Sequence, residues 1–197
     1  MAVRDLPIAM HKPLDRKPAR SRSLAPREHG TYGQVSLPLI VALASGTPNA
    51  PALLLTGGAV LAFLAHEPLL VAAGRRGRRA LESDGRRALK WSVVFAAGAA
   101  LLFAGAAALA PPAARWALLG CAPMVALVGG TIARNAERTP LGELLVGATL
   151  PALAVPVALC SGSGVHFAIG VWLTWTLGSA AATWAVRDVV AHLAPGT

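Results

Sequence analysis

Between Phe63 and Trp91 the chain leaves one apolar run, crosses a stretch holding Arg75, Arg76, Arg78, Arg79, Arg86, Arg87 and Lys90 against only Glu82 and Asp84, and enters a second apolar run. Two apolar runs of bilayer-crossing length, divided by a cationic stretch, restrict the fold more than any other feature. Hydrocarbon offers the backbone no water, so a crossing segment must satisfy its own N–H and C=O groups, which a helix does. The composition agrees. Hydrophobic residues make up 55% and charged residues 14% of the 197 positions, where a soluble domain carries roughly 25% charged residues. The expected fold is an all-α polytopic bundle.

Six segments follow in order, at about residues 31–45, 51–73, 91–110, 116–133, 141–160 and 165–186. The third holds twenty uncharged residues, about 30 Å of helix, which matches the hydrocarbon thickness. The first is short and interrupted by Ser36 and Pro38, so hydropathy leaves it open between a span and a re-entrant piece. Ala42-Leu43-Ala44 resembles a signal-cleavage site, but the tail before it is long and the run holds Pro38, which argues against removal. Residues 1–26 mix six Arg and Lys with four Pro and are read as a disordered tail near anionic lipid. The membrane domain is placed at 27–190 and a short tail at 191–197.

The connectors are short, so neighbouring segments run antiparallel. All but one of the 18 Lys and Arg residues then fall on a single side, and Arg115 is the exception. The positive-inside rule puts that side, and both termini, in the cytoplasm. Parity also favours the first segment as a span, because otherwise one of two basic clusters would have to cross. A net charge of +9 in a soluble chain points to nucleic acid. Here no basic stripe is interleaved with aromatics outside the spans, so no nucleic-acid partner is expected. The expected partners are the bilayer and anionic headgroups against the tail and the 75–90 loop.

Cys121 and Cys160 form no disulfide framework and no zinc spacing. Two buried thiols or a single disulfide are both open. Trp91, Trp116 and Trp184 lie near segment ends as interfacial anchors. Trp172 and Trp175 share a face suited to packing or lipid contact. Ala100, Ala104 and Ala108, and Gly178 with Ala182, repeat every four residues, a spacing that lets helices approach closely.

The order of local features resembles the YwiC-like family of bacterial membrane proteins. The residues that carry it are Pro26-Arg27-Glu28-His29-Gly30-Thr31-Tyr32-Gly33, then Phe63-Leu64-Ala65-His66-Glu67-Pro68-Leu69 before the arginine stretch. Leu141-Gly142-Glu143-Leu144-Leu145 follows, and then the residues from Ser179 to Arg187. The likeness covers about residues 26–190 and implies a helical integral membrane fold; it names no reaction and no cofactor. A comparison with membrane prenyltransferases fails. Those enzymes need aspartate-rich motifs for magnesium and diphosphate, whereas Asp5, Asp15, Asp84 and Asp188 have no shared spacing.

Polar residues inside spans are costly and mark candidate sites. Glu28 and His29 open segment one. His66 and Glu67 lie roughly 11 Å into segment two, counted from the basic stretch. Arg134, Asn135 and Arg138 close segment four, Glu143 opens segment five, and Arg187 and Asp188 end segment six. All fall on the basic side. Arg134, Arg138 and Arg187 read either as snorkelling cations or as an anion site helped by the N-terminus of segment five. His66 and Glu67 are the candidate acid and base, and a Glu67–Arg134 or Glu67–Arg187 structural pair is the competing reading. His29, His66 and Glu67 have metal-binding chemistry but no ligand spacing, so no metal is assigned. Three functions remain open: a binding site for an anionic or amphiphilic, lipid-phosphate-like ligand lined by His29, Arg134, Asn135, Arg138, Glu143 and Arg187; a small proton-coupled transporter; and a non-catalytic membrane subunit or assembly factor.

Overall fold

The computed structural model describes residues 29–134, 136 and 139–193, with the side chains of His29 and Val190 outside the description. The 1–26 tail, Glu28, Asn135, Arg138 and residues 194–197 therefore lie outside it. The described residues form helices α1 (His29–Ala44), α2 (Ala50–Ala72), α3 (Arg78–Leu109), α4 (Pro112–Ala133), α5 (Pro140–Thr149), α6 (Ala154–Cys160) and α7 (Val165–Leu193). A single 3-10 turn, Leu150–Leu153, joins α5 to α6. Five rods are long and apolar enough to cross a membrane: α2, α3, α4, the composite Pro140–Cys160 and α7. Helix α1, with 16 residues, is shorter.

The composite rod Pro140–Cys160 is the hub, with α1, α2, α4 and α7 packed around it. Its two prolines explain the break. Pro151 and Pro156 have no N–H, so the carbonyls of Gly147 and Ala152 lose their helical donors. The indole N–H of Trp172 on α7 donates to the neighbouring Ala148 carbonyl at 2.8 Å, which ties the break to the next helix. Both prolines are fully buried. Pro38, Pro68 and Pro123 also lie inside helices, but α1, α2 and α4 continue past them. The core around the hub is built mainly of small residues, among them Ala42, Ala52, Ala154, Ala158 and Ala168, with Leu55 and Val157 as the larger filling. Small side chains let the rods approach closely where hydrocarbon supplies no hydrophobic drive.

The basic stretch differs from its reading as a loop. The α2–α3 turn is only residues 73–77, with Gly74 at φ 74° and Gly77 at φ 94°, and the chain is helical again from Arg78. Helix α3 therefore has 32 residues, about 48 Å, well beyond the ~30 Å of hydrocarbon. Charge was the signal for a loop, yet Arg, Ala, Leu, Glu and Lys are strong helix formers. Ala80, Asp84, Ala88 and Ser92, spaced by four, are buried on one face, and Ala80 and Ala88 pack with Val71 of α2. Deeper in the hairpin a Cβ on Gly58 would stand 2.7 Å from the Phe103 ring, so that ring packs directly on the α2 backbone at this glycine.

The proposed close-approach stripes also change place. Ala100, Ala104, Ala108, Gly178 and Ala182 are exposed, and the contacts are made by the neighbouring faces through Ala99, Ala106 and Ser179. Ser179 meets Gly147 of α5, where an added Cβ would stand 3.2 Å from the Ser179 Cβ. Cys121 and Cys160 are separate buried thiols.

At the pole opposite the arginines, the α1–α2 connector is stitched to the α6–α7 connector. Asn49 caps α2 by accepting from the Ala52 N–H at 3.1 Å and donates through Nδ2 to the Cys160 carbonyl at 2.6 Å. The Thr47 N–H donates to the Ser161 carbonyl at 2.9 Å, and the Ser45 and Ser163 hydroxyls share a bond of 2.6 Å. Arg115 donates to the Ala110 and Ala108 carbonyls at 2.8 and 3.2 Å. The single cation of this pole thus closes the C-terminal end of α3.

Candidate functional site at the basic pole

Two acid–base pairs organise the basic pole. Glu67, on the last two turns of α2, is 3% exposed. The glycine-flanked turn folds Arg76 back onto it, with Nη2 at 2.5 Å and Nε at 3.2 Å from the same carboxylate oxygen. Burying a carboxylate is tolerable only with such a partner and good geometry. The second pair joins α5 to α7: Arg187 Nε stands 2.8 Å from Glu143 Oε2, with both side chains about one-third exposed. The partner of Glu67 is therefore Arg76, correcting both Arg134 and Arg187. Arg187 is committed to Glu143 across the hub.

His66 and Glu67 lie on different faces of α2. One residue apart on a helix means about 100° of rotation, and His66 is exposed while Glu67 points inward. Glu67 is also shallower than counting from the basic stretch suggests. The α2–α3 contacts at Gly58 with Phe103 and at Leu61 with Gly98 set an antiparallel register. That register carries Glu67 alongside Ser92, next to Trp91, where α3 turns from apolar to cationic. Sequence counting misplaced it because the helix resumes at Arg78.

The α5 N-terminus, expected to offer backbone donors to an anion, is already capped. The Gly142 N–H donates to Thr139 Oγ1 at 3.1 Å and the Glu143 N–H to the Thr139 carbonyl at 2.9 Å. Arg134 terminates α4 with its side chain exposed. Arg75, the neighbour of Arg76, reaches the other way and donates to the Ala133 carbonyl at 2.8 Å. It closes the end of α4 and links the α2–α3 hairpin to the remaining bundle. Sequence reasoning counted Arg75 and Arg76 only as bulk charge. The signal that marks them is the pair of glycines on either side, Gly74 and Gly77, which force a tight reversal.

Of the predicted site residues, the structure joins Glu143 to Arg187 and sets Arg134 at the α4 end near Arg75. It separates His66 from Glu67. His29 opens α1, with its side chain beyond the description, and Asn135 and Arg138 are likewise outside it. One turn after His29, Tyr32 packs edge-on against Phe63 of α2 at 5.0 Å between centroids, so the start of α1 leans on the same part of α2. Among the described residues no three His, Cys, Asp or Glu side chains gather into a possible metal site.

No curated protein and no solved structure matches the chain. A family model described as YwiC-like protein matches residues 25–159, which spans α1 through α6 and stops before α7. Ser179 to Arg187 thus lies beyond the matched region, although Arg187 and Trp172 tie α7 to the hub. With more than half of its length matched, and with apolar helices able to cross a bilayer, this chain belongs to the YwiC-like family of membrane proteins.

Proposed function

We propose that the protein is a six-span inner-membrane protein whose basic pole faces the cytoplasm with both termini, and that this pole holds an anionic or amphiphilic ligand of lipid-phosphate type. One observation carries the reading: the charge at the pole is unbalanced after internal pairing. Glu67 and Glu143 are matched by Arg76 and Arg187, and Glu82 by Arg78. Arg79, Arg86, Arg87, Lys90 and Arg134 remain exposed and make no ion pair with another described residue. An anion is the natural complement of that surplus. Arg134, at the seam between the hairpin and the bundle, is the residue assigned to the ligand, with exposed His66 as hydrogen-bonding or proton-handling group. The test is phosphate retained through purification of the full chain. Arg134→Gln and His66→Gln are expected to lower it; retention equal to wild type in both overturns the reading.

A proton-coupled transporter is the second reading, favoured by the broken hub. Discontinuous helices expose backbone carbonyls in mid-membrane, a device that transporters use for binding. Glu67 or Glu143 would carry the proton. Flux into proteoliposomes that ignores both a pH gradient and Glu67→Gln eliminates it.

A further inference from the structure

The outward face of α3 changes character along its length. Arg79, Arg86, Lys90, Val93, Ala97, Ala100 and Ala104 follow one another at steps of seven and then of four and three, so they share one face, and all are exposed. The opposite face holds the buried Ala80, Asp84, Ala88, Ser92, Ala99 and Ala106 against α2. One continuous stripe is thus cationic as far as Lys90 and smooth and apolar from Val93 onward. Leu101, 74% exposed, stands beside the alanines as a wall. Trp91 sits at the change of character, stacked on Phe95 with centroids 5.3 Å apart.

We infer that this face is a docking surface for an anionic phospholipid, with the phosphate on Arg86 and Lys90 and an acyl chain along Val93, Ala97, Ala100 and Ala104. Charge complementarity selects the headgroup. Arg86 and Lys90 are one turn apart, within reach of one phosphate, and neither is paired with a described carboxylate. The dimensions select a chain of one leaflet: from Val93 to Ala104 the helix rises about 16 Å, against roughly 15 Å for half the hydrocarbon thickness.

A second copy of α3 is the competing occupant, since small residues at this spacing also suit helix pairing. Copies inserted in the same orientation would bring Arg79, Arg86 and Lys90 of one against the same three of the other, and like charges repel. The inference rests on the same surplus of cations as the ligand reading above, but the stripe does not include Arg134, so the Arg86 and Lys90 variant tests this surface and the Arg134 variant tests that reading.

The experiment uses the full chain in nanodiscs of phosphatidylcholine containing a minority of phosphatidylglycerol, with bound lipid counted by native mass spectrometry. Phosphatidylglycerol is expected to be retained over phosphatidylcholine. Arg86→Gln with Lys90→Gln is expected to reduce that preference about thirtyfold, the effect of removing two cations from an anionic surface. Ala104→Phe, which leaves the charges and obstructs the chain path, is expected to lower retention as well. Arg86, Lys90 and Ala104 are all exposed, so folding is expected to be preserved, which helix content by circular dichroism checks. Equal retention of the two lipids, or a preference untouched by the Arg86 and Lys90 changes, overturns the proposal. So does efficient disulfide formation between copies carrying Ala100→Cys, which would assign the stripe to a dimer.

Discussion

The two poles of the bundle are held together by opposite kinds of chemistry. The pole away from the arginines uses neutral, short groups: an Asn, two Ser hydroxyls and backbone amides, in bonds of 2.6 to 2.9 Å between adjacent connectors. The basic pole uses long charged side chains, Arg76 to Glu67, Arg187 to Glu143 and Arg75 to the Ala133 carbonyl. Neutral bonds between short groups are rigid and indifferent to salt. Ion pairs on flexible stems carry desolvation costs and answer to salt and to competing anions. The comparison teaches that one end is built as a fixed joint and the other as a surface able to exchange partners.

The strongest way to break this contrast is at Glu67. Arg76→Ala leaves a buried carboxylate without its cation and is expected to cost about 3 kcal/mol, with Arg76 one-third exposed and so below the top of the range for buried pairs. Glu67→Gln combined with Arg76→Gln should recover most of the loss in a detergent melt. A double variant as unstable as Arg76→Ala would mean that the pair matters for shape and not for charge. Next comes Gly46→Ala in the fixed joint. Its Cβ would stand 2.0 Å from the Ser161 carbonyl oxygen, so the connectors must separate, at about 2 kcal/mol. An unchanged melting temperature would show that the joint is looser than drawn.

Asn49→Ala removes a helix cap and the bond to Cys160 together, and a loss of about 1–2 kcal/mol independent of salt is expected. Arg187→Gln is the smallest change, because the pair with Glu143 is partly solvated. That loss should shrink further at high salt. Salt sensitivity equal in Asn49→Ala and Arg187→Gln would erase the distinction between the poles.

Much of the bundle could be read from apolar run lengths alone. The α2 segment and the composite rod begin and end within a residue of the expected 51–73 and 141–160. The start of α3 could not, because arginine density was taken for a loop, while its helical phase shows only once Ala80, Asp84 and Ala88 have α2 to face. Pro151 and Pro156 account for the break in the composite rod. That this segment is the hub depends on which rods surround it, and periodicity does not encode that. The same holds for the alanine stripes: in a chain this rich in alanine every helix face has one, and only packing tells the buried from the exposed. At the basic pole, cost of burial drew attention to Glu67, Glu143 and Arg187, and the structure places all three in ion pairs. The partner of Glu67 was missed because it is decided by a five-residue turn that returns Arg76, and the partner of Glu143 because it depends on α7 packing against α5.

The bond from Trp172 to the Ala148 carbonyl has a consequence for biogenesis. Helix α7 is synthesised after the broken rod it completes. Until it docks, the proline break lacks both the Trp172 donor and the packing of α7 against it. The middle of the rod is thus expected to stay kinetically open, or hydrated, while the nascent chain is being inserted, and to become watertight only when its last neighbour arrives.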